Sequence, residues 1–556
     1  MRCSRRALLG LLAVAPCGCV VRAPEERFEA VPSRAAARRQ LTELAYEHRR
    51  LWLRYSALEA GDAPEAARAA AHQEVARVLF EAERLLEYHE ALLTPRRRLL
   101  WQLGALGARL ESDAETRALT EAIRERSQAV LDGEPLTTAQ LTELVTSPDA
   151  KLRDAAWQSR LTRHEAVAPL TTRLLLRRRV AARELGEDTF RALMRLRHLP
   201  GERTRGLTQR FVRGTERELQ ALVHRMRVAA RPPRLAAEHA DWLLERATSS
   251  PAPWFPAERL PPFVQGVARD LELPLAAVPQ APSVAGRAGY EAALRELSAA
   301  ALRDSVSETD PLLQGYPGAL GLSEPAFDAG VAFAFTALLA DSQVLKERLG
   351  LSPRDAERAA ANARARALFE ARRHVAWAAF EERALQNPQQ DLVRTAAGLH
   401  RRLTGVDGML LWTEHPRLLR APLVSQCEAL GALVGTQILE VLAVGANPQK
   451  NRPASHPGKT GAKQSQDATP GARGATSGRA AQGLASGSLT YAASTASGDG
   501  RSASALLRDH IFSVGMSQGG DEKLVKLTGR RLGVEAMLGW VRPRRPPPFR
   551  RPMTLD

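Results

Sequence analysis

Cysteine is scarce in this chain of 556 residues, which contains only four copies. Cys3, Cys17 and Cys19 lie near the N-terminus, and Cys427 is the only cysteine beyond them. A zinc site built from cysteines needs two or more thiolates close together, so the sequence excludes such a site outside the first residues. Cys427 also has no obvious partner for a disulfide bond.

Histidine pairs at helical zinc spacing are absent as well. The chain has 12 histidines, and no two of them are four residues apart. Two imidazoles at that spacing share one face of a helix, which is the arrangement in helical zinc peptidases. His164-Glu165 begins such a motif, but Ala168 stands at the second histidine position, so we interpret it as a solvated pair on a helix surface. The sequence therefore predicts no metal site, and no fingerprint of another cofactor is present.

Aromatic residues make up only 5% of the chain, whereas Ala, Leu, Arg and Glu dominate. These four residues favour helix, and we find no convincing strand alternation. Apolar residues recur at helical spacing in 41–58, 66–92, 118–131, 170–185, 207–228, 238–247, 262–271, 289–305, 324–341, 353–386, 390–403 and 423–444. Thr138, Ser147 and Ser352 are the expected N-caps. The sequence predicts an all-α protein; a helical solenoid is the alternative, although no fixed repeat emerges.

The charge balance is basic, with 79 Lys and Arg against 62 Asp and Glu, a net charge of +17. Most of the basic residues are arginines that alternate with glutamates along the helices. A nucleic-acid-binding protein usually adds stacking aromatics or a known module, and neither is visible. We therefore expect no nucleic-acid partner, whereas attraction to anionic membranes or envelope polymers is physically reasonable.

Five motifs follow one another along the chain from residue 181 onwards. They are Ala181-Ala182-Arg183-Glu184-Leu185-Gly186, the helix fragment Arg295-Glu296-Leu297-Ser298-Ala299 with Phe327-Asp328-Ala329 after it, Phe380-Glu381 with Pro388 and Asp391, the run that starts at Pro422-Leu423-Val424-Ser425, and Leu506-Leu507-Arg508-Asp509-His510. In this order they resemble motifs of the angiotensin-converting-enzyme-like dipeptidases and related oligopeptidases, which are helical zinc peptidases. The resemblance extends from about residue 141 to residue 540. It implies a large two-lobed helical fold with a deep central channel.

The resemblance also implies that the catalytic metal has been lost. Its two histidine ligands would stand at Arg295 and Ala299, and the later glutamate ligand at Ala329. Only Glu296, the general-base position, keeps its residue type and is vestigial without a metal. The tyrosines that stabilise the tetrahedral intermediate in this family would stand at Val424 and Ser425.

Arg295 would bring a permanent positive charge to the vacated metal position. A buried guanidinium needs a carboxylate or carbonyl partner. Because neighbouring residues on a helix point about 100° apart, Asp328 is a better candidate partner than Glu296. The alternative is an Arg295 side chain that extends into solvent.

The N-terminus has the features of an export signal. Residues 1–6 are basic, and residues 7–15 form an apolar stretch too short to span a bilayer. Cys19 or Cys17 follows at a position suited to lipid attachment, and we favour Cys19. The sequence thus predicts an exported lipoprotein of a bacterial-type cell envelope, with ordinary secretion as the alternative.

The composition of the chain predicts five segments. Residues 1–19 form the export signal and residues 20–445 the helical peptidase-like domain. Residues 446–504 are rich in Gly, Ser, Ala and Thr, which predicts a disordered insertion. Residues 505–542 would be closing helices of the same domain, and residues 543–556 an Arg/Pro-rich tail.

Three functions are compatible with these features. The first is a catalytically inactive, metallopeptidase-like envelope lipoprotein whose channel binds a peptide or an envelope protein. The second is an active zinc peptidase whose motif lies elsewhere in the chain. The third is a basic scaffold that binds an anionic envelope component. In each case the membrane would be reached through the lipid anchor.

Overall fold

The computed structural model of the chain describes residues 32–61, 63–89, 91–126, 129–131, 133–230, 235–273, 285–316, 319–414, 422–445 and 502–542. The predicted export signal with Cys17 and Cys19, nearly all of the predicted insertion and the predicted tail lie outside the described residues.

The N-terminal half is a succession of helices interrupted by one hairpin. The helices are α1 Arg34–Ala60, α2 Glu65–Tyr88, α3 Pro95–Glu111, α4 Ala114–Arg126, α5 Thr138–Thr146, α6 Ala150–Glu184, α7 Thr189–Leu196, α8 Gly201–Gly214 and α9 Glu216–Ala230. Between α4 and α5, strands β1 Ala129–Leu131 and β2 Glu134–Leu136 pair in antiparallel register, with Ala129 opposite Leu136. The hairpin corrects the predicted helix over 118–131, because α4 ends at Arg126.

The C-terminal half continues with helices α10 Ala240–Thr248, α11 Leu260–Asp270, α12 Arg287–Asp304, α13 Pro311–Gln314, α14 Pro325–Thr336, α15 Ser342–Leu349, α16 Pro353–Gln386, α17 Leu392–Thr404, α18 Val424–Gly445, α19 Ala503–Leu507, α20 Gly520–Thr528 and α21 Glu535–Val541. A π-helical turn, Arg508–Phe512, follows α19. Because α19 begins at Ala503, the last two residues of the predicted insertion are helical. The all-α prediction is confirmed.

Local sequence signals explain several helix ends. The Ser352 side chain accepts a hydrogen bond from the Asp355 N–H at 3.2 Å, so the predicted N-cap of α16 is confirmed. The other two predicted N-caps are wrong, because Thr137 caps α5 and Asp149 caps α6. The Ala181–Gly186 motif ends α6: Gly186 has a φ of 72°, a left-handed conformation that favours glycine.

The apolar side chains form one large core and three smaller ones. The large core joins α6–α8, α11, α12, α14–α18 and the C-terminal helices. The helices α1, α2 and α3 share a second core, which Leu312, Tyr316 and Met516 complete. Small cores also lie between α9 and α10 and between α4 and α6. The N-terminal helices thus bury their own apolar faces beside the main body.

Helices α14 and α18 approach so closely that only small residues fit between them. A Cβ atom at Gly435 would lie 2.5 Å from the Gly330 carbonyl oxygen, and one at Gly431 would lie 2.7 Å from the Ala329 Cβ. Side chains at these glycines would therefore force the helices apart. This contact fixes the position of α14, which carries two of the residues singled out in the sequence.

No single helix among the described residues combines the length and apolarity needed to cross a bilayer. Residues 325–340 and 342–349 meet the criterion only as a pair, and that pair is bent by 70°.

Candidate functional site

The residues at the predicted zinc positions cannot ligate a metal. Arg295, Glu296 and Ala299 are exposed on α12, whereas Ala329 is half-buried against Gly431 of α18. A guanidinium repels a cation, and a methyl group offers no lone pair. Within the described ranges, no group of three or more His, Cys, Asp or Glu side chains could hold a metal ion. The donor set therefore does not fit the zinc of the helical peptidases.

The predicted ion pair between Arg295 and Asp328 is not formed in the described part of the chain. Lys523 and Glu324 are the charged groups that influence Asp328. Burial, together with the negative charge of Glu324, raises the pKa of the Asp328 carboxyl from its usual value to about 7, against the opposing effect of Lys523. Because Arg295 is exposed on α12, it needs no carboxylate partner, in agreement with the solvated alternative.

Glu324 is the centre of a buried ion cluster one turn before Asp328. Its carboxylate accepts a hydrogen bond from Arg96 of α3 at 2.8 Å and lies 3.3 Å from the Nζ atom of Lys523 on α20. Burial alone would raise the pKa of Glu324, but Lys523 and Arg96 outweigh that effect and lower it. Because Glu324 and Lys523 are 6% and 4% exposed, the cluster ties α3, α14 and α20 together.

The predicted tyrosine positions lie at the start of α18, in a polar part of the interior. Val424 is half-buried and Ser425 is fully buried. Two residues further on, burial raises the pKa of the Cys427 thiol to about 12, and Arg197 opposes this shift while nearby carboxylates add to it. The Arg197 side chain donates to the Pro422 carbonyl oxygen at 3.1 Å. A thiol with so high a pKa stays protonated and is a poor nucleophile at neutral pH.

The interpretation of His164 as a surface residue is wrong. Its side chain is 2% exposed, its Nδ1 atom lies 2.7 Å from the Thr413 hydroxyl, and its ring makes an edge contact with Trp412. Helix α6 therefore packs this face against the segment after α17, and His164 belongs to the core.

A stripe of polar side chains runs along one face of α16, and we call it the α16 stripe. Its members recur at helical spacing over about 22 Å: they are Arg366, Glu370, Arg373, His374, Trp377 and Glu381. Arg372 points to a different face, where it is fully buried, donates to the Leu403 carbonyl oxygen at 2.8 Å and pairs with Glu216 at 2.6 Å. Arg372 thus holds helices together, and its neighbour Arg373 belongs to the stripe.

The outer half of the stripe faces α10, and we call the partly exposed surface between these two helices the recess. Arg373 contacts Asp241 of α10 and Glu370, both at 2.6 Å, and Arg366 pairs with Glu245 of α10. The side chains of Asp241 and Arg373 are 40% and 32% exposed. This ion pair is therefore partly accessible to solvent.

Two further helices contribute charge to the recess. Burial lowers the pKa of the Arg366 guanidinium, but Glu245, Glu291 and Glu370 outweigh it and raise the pKa. Glu291 lies on α12, one turn before Arg295. Burial raises the pKa of Asp241, but the positive charges of Arg373, Arg160 of α6 and Arg366 outweigh this and lower it. Helices α6, α10, α12 and α16 therefore all carry charged side chains that influence this ion-pair cluster.

The inner half of the stripe becomes progressively less exposed. The Nδ1 atom of His374 lies 2.7 Å from a carboxylate oxygen of Glu428 on α18. Half-buried Trp377 packs edge-on against His400 and Phe380, and Glu381 at the inner end is fully buried. Charged groups of both signs and one indole therefore line the recess. Such side chains can bind a flexible polar chain.

The sequence interpretation quoted only Phe380-Glu381 from this helix and missed the rest of the stripe. One signal was available, because charged and aromatic residues recur at i, i+4, i+7, i+8, i+11 and i+15 in a helix otherwise rich in Ala. That pattern equally describes a solvated helix face. Only the position of α10, whose Asp241 and Glu245 pair with the stripe, distinguishes this face from open surface.

Comparison with solved structures identifies the fold. A carboxypeptidase from Pyrococcus furiosus superposes with a TM-score of 0.52 over 90% of this chain and 98% of its own, at 14% identity. A protein described as oligoendopeptidase F gives 0.52 over 93% and 97%, at 12% identity. A protein described as a peptidase from Chlamydophila abortus gives 0.54 over 92% and 90%, at 11% identity.

This chain has the fold of these helical peptidases. The fold prediction is therefore confirmed, whereas the dipeptidase branch and the loss of activity remain predictions. No protein-family model matches the sequence, and no curated protein sequence matches it either. The similarity is one of three-dimensional fold at low sequence identity, so the activities of those peptidases do not transfer to this chain.

Proposed function

We propose that this protein is a catalytically inactive relative of the helical peptidases that binds peptides in the recess along the α16 stripe. The observation that carries the proposal is the partly exposed set of ion pairs between α10 and α16, combined with side chains that cannot hold zinc at the predicted ligand positions. The predicted ligand positions hold Arg295, Ala299 and Ala329. Glu296 has no metal-bound water to activate and is exposed on α12.

The lining of the recess suits a peptide better than a compact metabolite. The Arg366 and Arg373 guanidinium groups can form paired hydrogen bonds to carboxylates, including a peptide C-terminus. The acidic partners Asp241 and Glu245 can accept from ammonium groups or backbone N–H groups. Trp377 offers an indole surface for apolar side chains. A peptide that supplied both charges would exchange existing ion pairs for new ones without leaving a buried charge unpaired.

Metal analysis tests the inactive state. The full chain is incubated with zinc and dialysed, and bound zinc is measured beside the Glu296→Ala variant. Zinc far below one equivalent in both, with no peptide cleavage, is the expected result, because a helical zinc site retains its ion through dialysis. One equivalent of zinc with cleavage abolished in Glu296→Ala would refute the proposal and favour the active-peptidase alternative.

Peptide binding tests the recess. Dye-labelled octapeptides with acidic, basic or uncharged C-terminal halves are titrated with the full chain and followed by fluorescence anisotropy. We expect Arg373→Ala to weaken the tightest complex at least about tenfold, the equivalent of one charge-assisted hydrogen bond. Arg383→Ala is the matched control, since Arg383 is exposed on the same helix outside the stripe.

Arg373→Lys separates binding from folding, because it keeps the charge beside Asp241 and loses the planar pair of donors. It should bind peptide with intermediate affinity and unfold at the wild-type temperature. Equal peptide affinity in the wild type, Arg373→Ala and Arg383→Ala would place binding elsewhere. No binding of any peptide would favour the basic-scaffold alternative.

We further propose that the protein is exported and anchored to a membrane through Cys19. The support is the order of basic residues, apolar stretch and cysteines in residues 1–19. Metabolic labelling with a radioactive fatty acid should mark the wild type and Cys17→Ser but not Cys19→Ser. Labelling lost only in Cys17→Ser would assign the other cysteine, and no labelling would favour ordinary secretion.

A further inference from the structure

We propose that the exposed face of α1 binds anionic phospholipid headgroups at a membrane surface. We call this surface the α1 arginine face, and it consists of Arg34, Arg38, Arg39, Tyr46, Arg50 and Leu53. The inference is separate from peptide binding in the recess, and its test removes the predicted lipid anchor.

The arginines of this face are exposed and have no acidic partner among the described residues. Arg34, Arg38, Arg39 and Arg50 are exposed, and none of them lies within 4.0 Å of a described carboxylate. By contrast, Arg77 of the neighbouring helix α2 pairs with Glu47 at 2.6 Å. The four guanidinium groups are therefore available to an external anion.

Two large apolar side chains share this face with the arginines. Tyr46 is 56% exposed and Leu53 is 60% exposed. Arg39, Tyr46 and Leu53 are spaced seven residues apart, so they share one line along the helix, and Arg50 lies one turn before Leu53 on that side. A helix face that combines arginines with exposed aromatic and aliphatic residues is suited to the interface between headgroups and acyl chains.

Acidic residues offset little of this charge. Between residues 34 and 53 the acidic residues are Glu43 and Glu47, and Glu47 is already paired with Arg77. An open groove of about 680 Å³ lies beside Arg34, Arg38 and Arg39 and is also lined by Glu43 and by residues 91 and 92. A phosphate group could enter it and meet several guanidinium groups together.

The position of the face in the chain favours a membrane over a soluble polyanion. Arg34 begins α1 and follows Cys19 by 15 positions. A chain of that length spans at most about 50 Å when fully extended, so a lipid at the cysteine would hold α1 beside the bilayer. The N-terminus of α1 also carries the positive end of the helix dipole, which adds to the attraction for phosphate.

Vesicle binding tests the proposal. The full chain with Cys17→Ser and Cys19→Ser, which cannot be lipidated, is mixed with vesicles of one part phosphatidylglycerol to three parts phosphatidylcholine, or of phosphatidylcholine alone. The test variant adds Arg38→Glu and Arg39→Glu. The matched control instead adds Arg210→Glu and Arg213→Glu, which change the net charge equally on exposed positions of α8. A third variant adds Leu53→Ser.

We expect the parent and the α8 control to bind the anionic vesicles, and 0.5 M salt to release them. The Arg38/Arg39 variant should bind at least about tenfold more weakly, since each basic residue near an anionic surface is worth about fivefold. Leu53→Ser should weaken binding without changing its salt dependence. Equal binding by the Arg38/Arg39 variant and the α8 control, or equal binding to both lipid mixtures, would overturn the proposal.

Discussion

His48 makes the N-terminal helices sensitive to acid. The residue lies on α1 in the second core, is 1% exposed, and has no hydrogen-bond partner for either ring nitrogen among the described residues. Its ring packs edge-on against Tyr316, with 4.8 Å between centroids, and more distantly against Trp101. In this apolar setting the charged imidazolium is unfavourable, so burial lowers the pKa of His48 from 6.5 to about 4.

The size of the effect follows from linkage between protonation and folding. The unfolded chain binds a proton at His48 below about pH 6.5, and the folded chain does so only below about pH 4. Stability is therefore retained above pH 6.5 and lost as the pH falls through this window. The loss should be about 2 kcal/mol at pH 5 and should approach about 3.4 kcal/mol below pH 4, at about 1.4 kcal/mol for each pKa unit.

Urea unfolding followed by circular dichroism at pH 7.5, 6 and 5 measures this loss. His48→Leu removes the titrating group and keeps an apolar side chain of similar size, so its free energy of unfolding should fall by about 2 kcal/mol less than that of the wild type between pH 7.5 and pH 5. His224→Gln, at an exposed position, should follow the wild type. The same pH dependence in the wild type and His48→Leu would refute the argument.

Three further predictions concern α14 and its neighbours. Glu324→Ala should lower the free energy of unfolding by about 3 to 5 kcal/mol in urea titrations, because it leaves the Lys523 charge buried and unpaired. The control Lys526→Ala removes a surface ion pair and should lower the free energy of unfolding by less than about 1 kcal/mol. Gly431→Val should lower the melting temperature by several degrees, since its Cβ would lie 2.7 Å from that of Ala329; an unchanged melting temperature would contradict the close contact. The pKa of Asp328 is raised to about 7, so ionisation of its carboxyl destabilises the folded state as the pH rises from about 4 through 7. Asp328→Asn cannot ionise and should therefore be more stable than the wild type at pH 8. The difference in the free energy of unfolding should shrink toward pH 5.

Helix positions were predictable wherever local signals coincide. Helix α16 occupies the predicted residues 353–386, because Ser352 caps its first turn, Pro353 suits the first helical position and the residues that follow are strong helix formers. Signals of this kind act within a few residues, so the sequence carries them in full. The shorter helices Pro95–Glu111 and Ser342–Leu349 were missed, and the hairpin at Ala129–Leu136 was mistaken for helix where its apolar residues matched the helical period.

Burial and partners were less predictable, because they depend on residues far apart in the chain. His164 was interpreted as a surface residue, but it is covered by Thr413, which is 249 residues away. Asp328 was assigned to Arg295, but the cation that influences the pKa of Asp328 is Lys523 of α20, which is paired with Glu324. The helical period determines which residues share one face of a helix, but it does not determine which other helix or solvent that face contacts.

The sequence by itself therefore determined the helical class, the boundaries of α16 and the residue types at the predicted zinc positions, because each of these is set by local propensity or by the identity of one side chain. The longest helix, α6, was predicted only from residue 170 onwards, because its first residues carry weaker local signals. Only the tertiary structure decided which part of the protein the charged face of α16 contacts. The face that carries Arg373 would be ordinary solvated surface on an isolated helix, and it meets a second charged helix only because α10 brings Asp241 within 2.6 Å of it. That approach depends on the packing of cores contributed by distant parts of the chain, which no local pattern encodes.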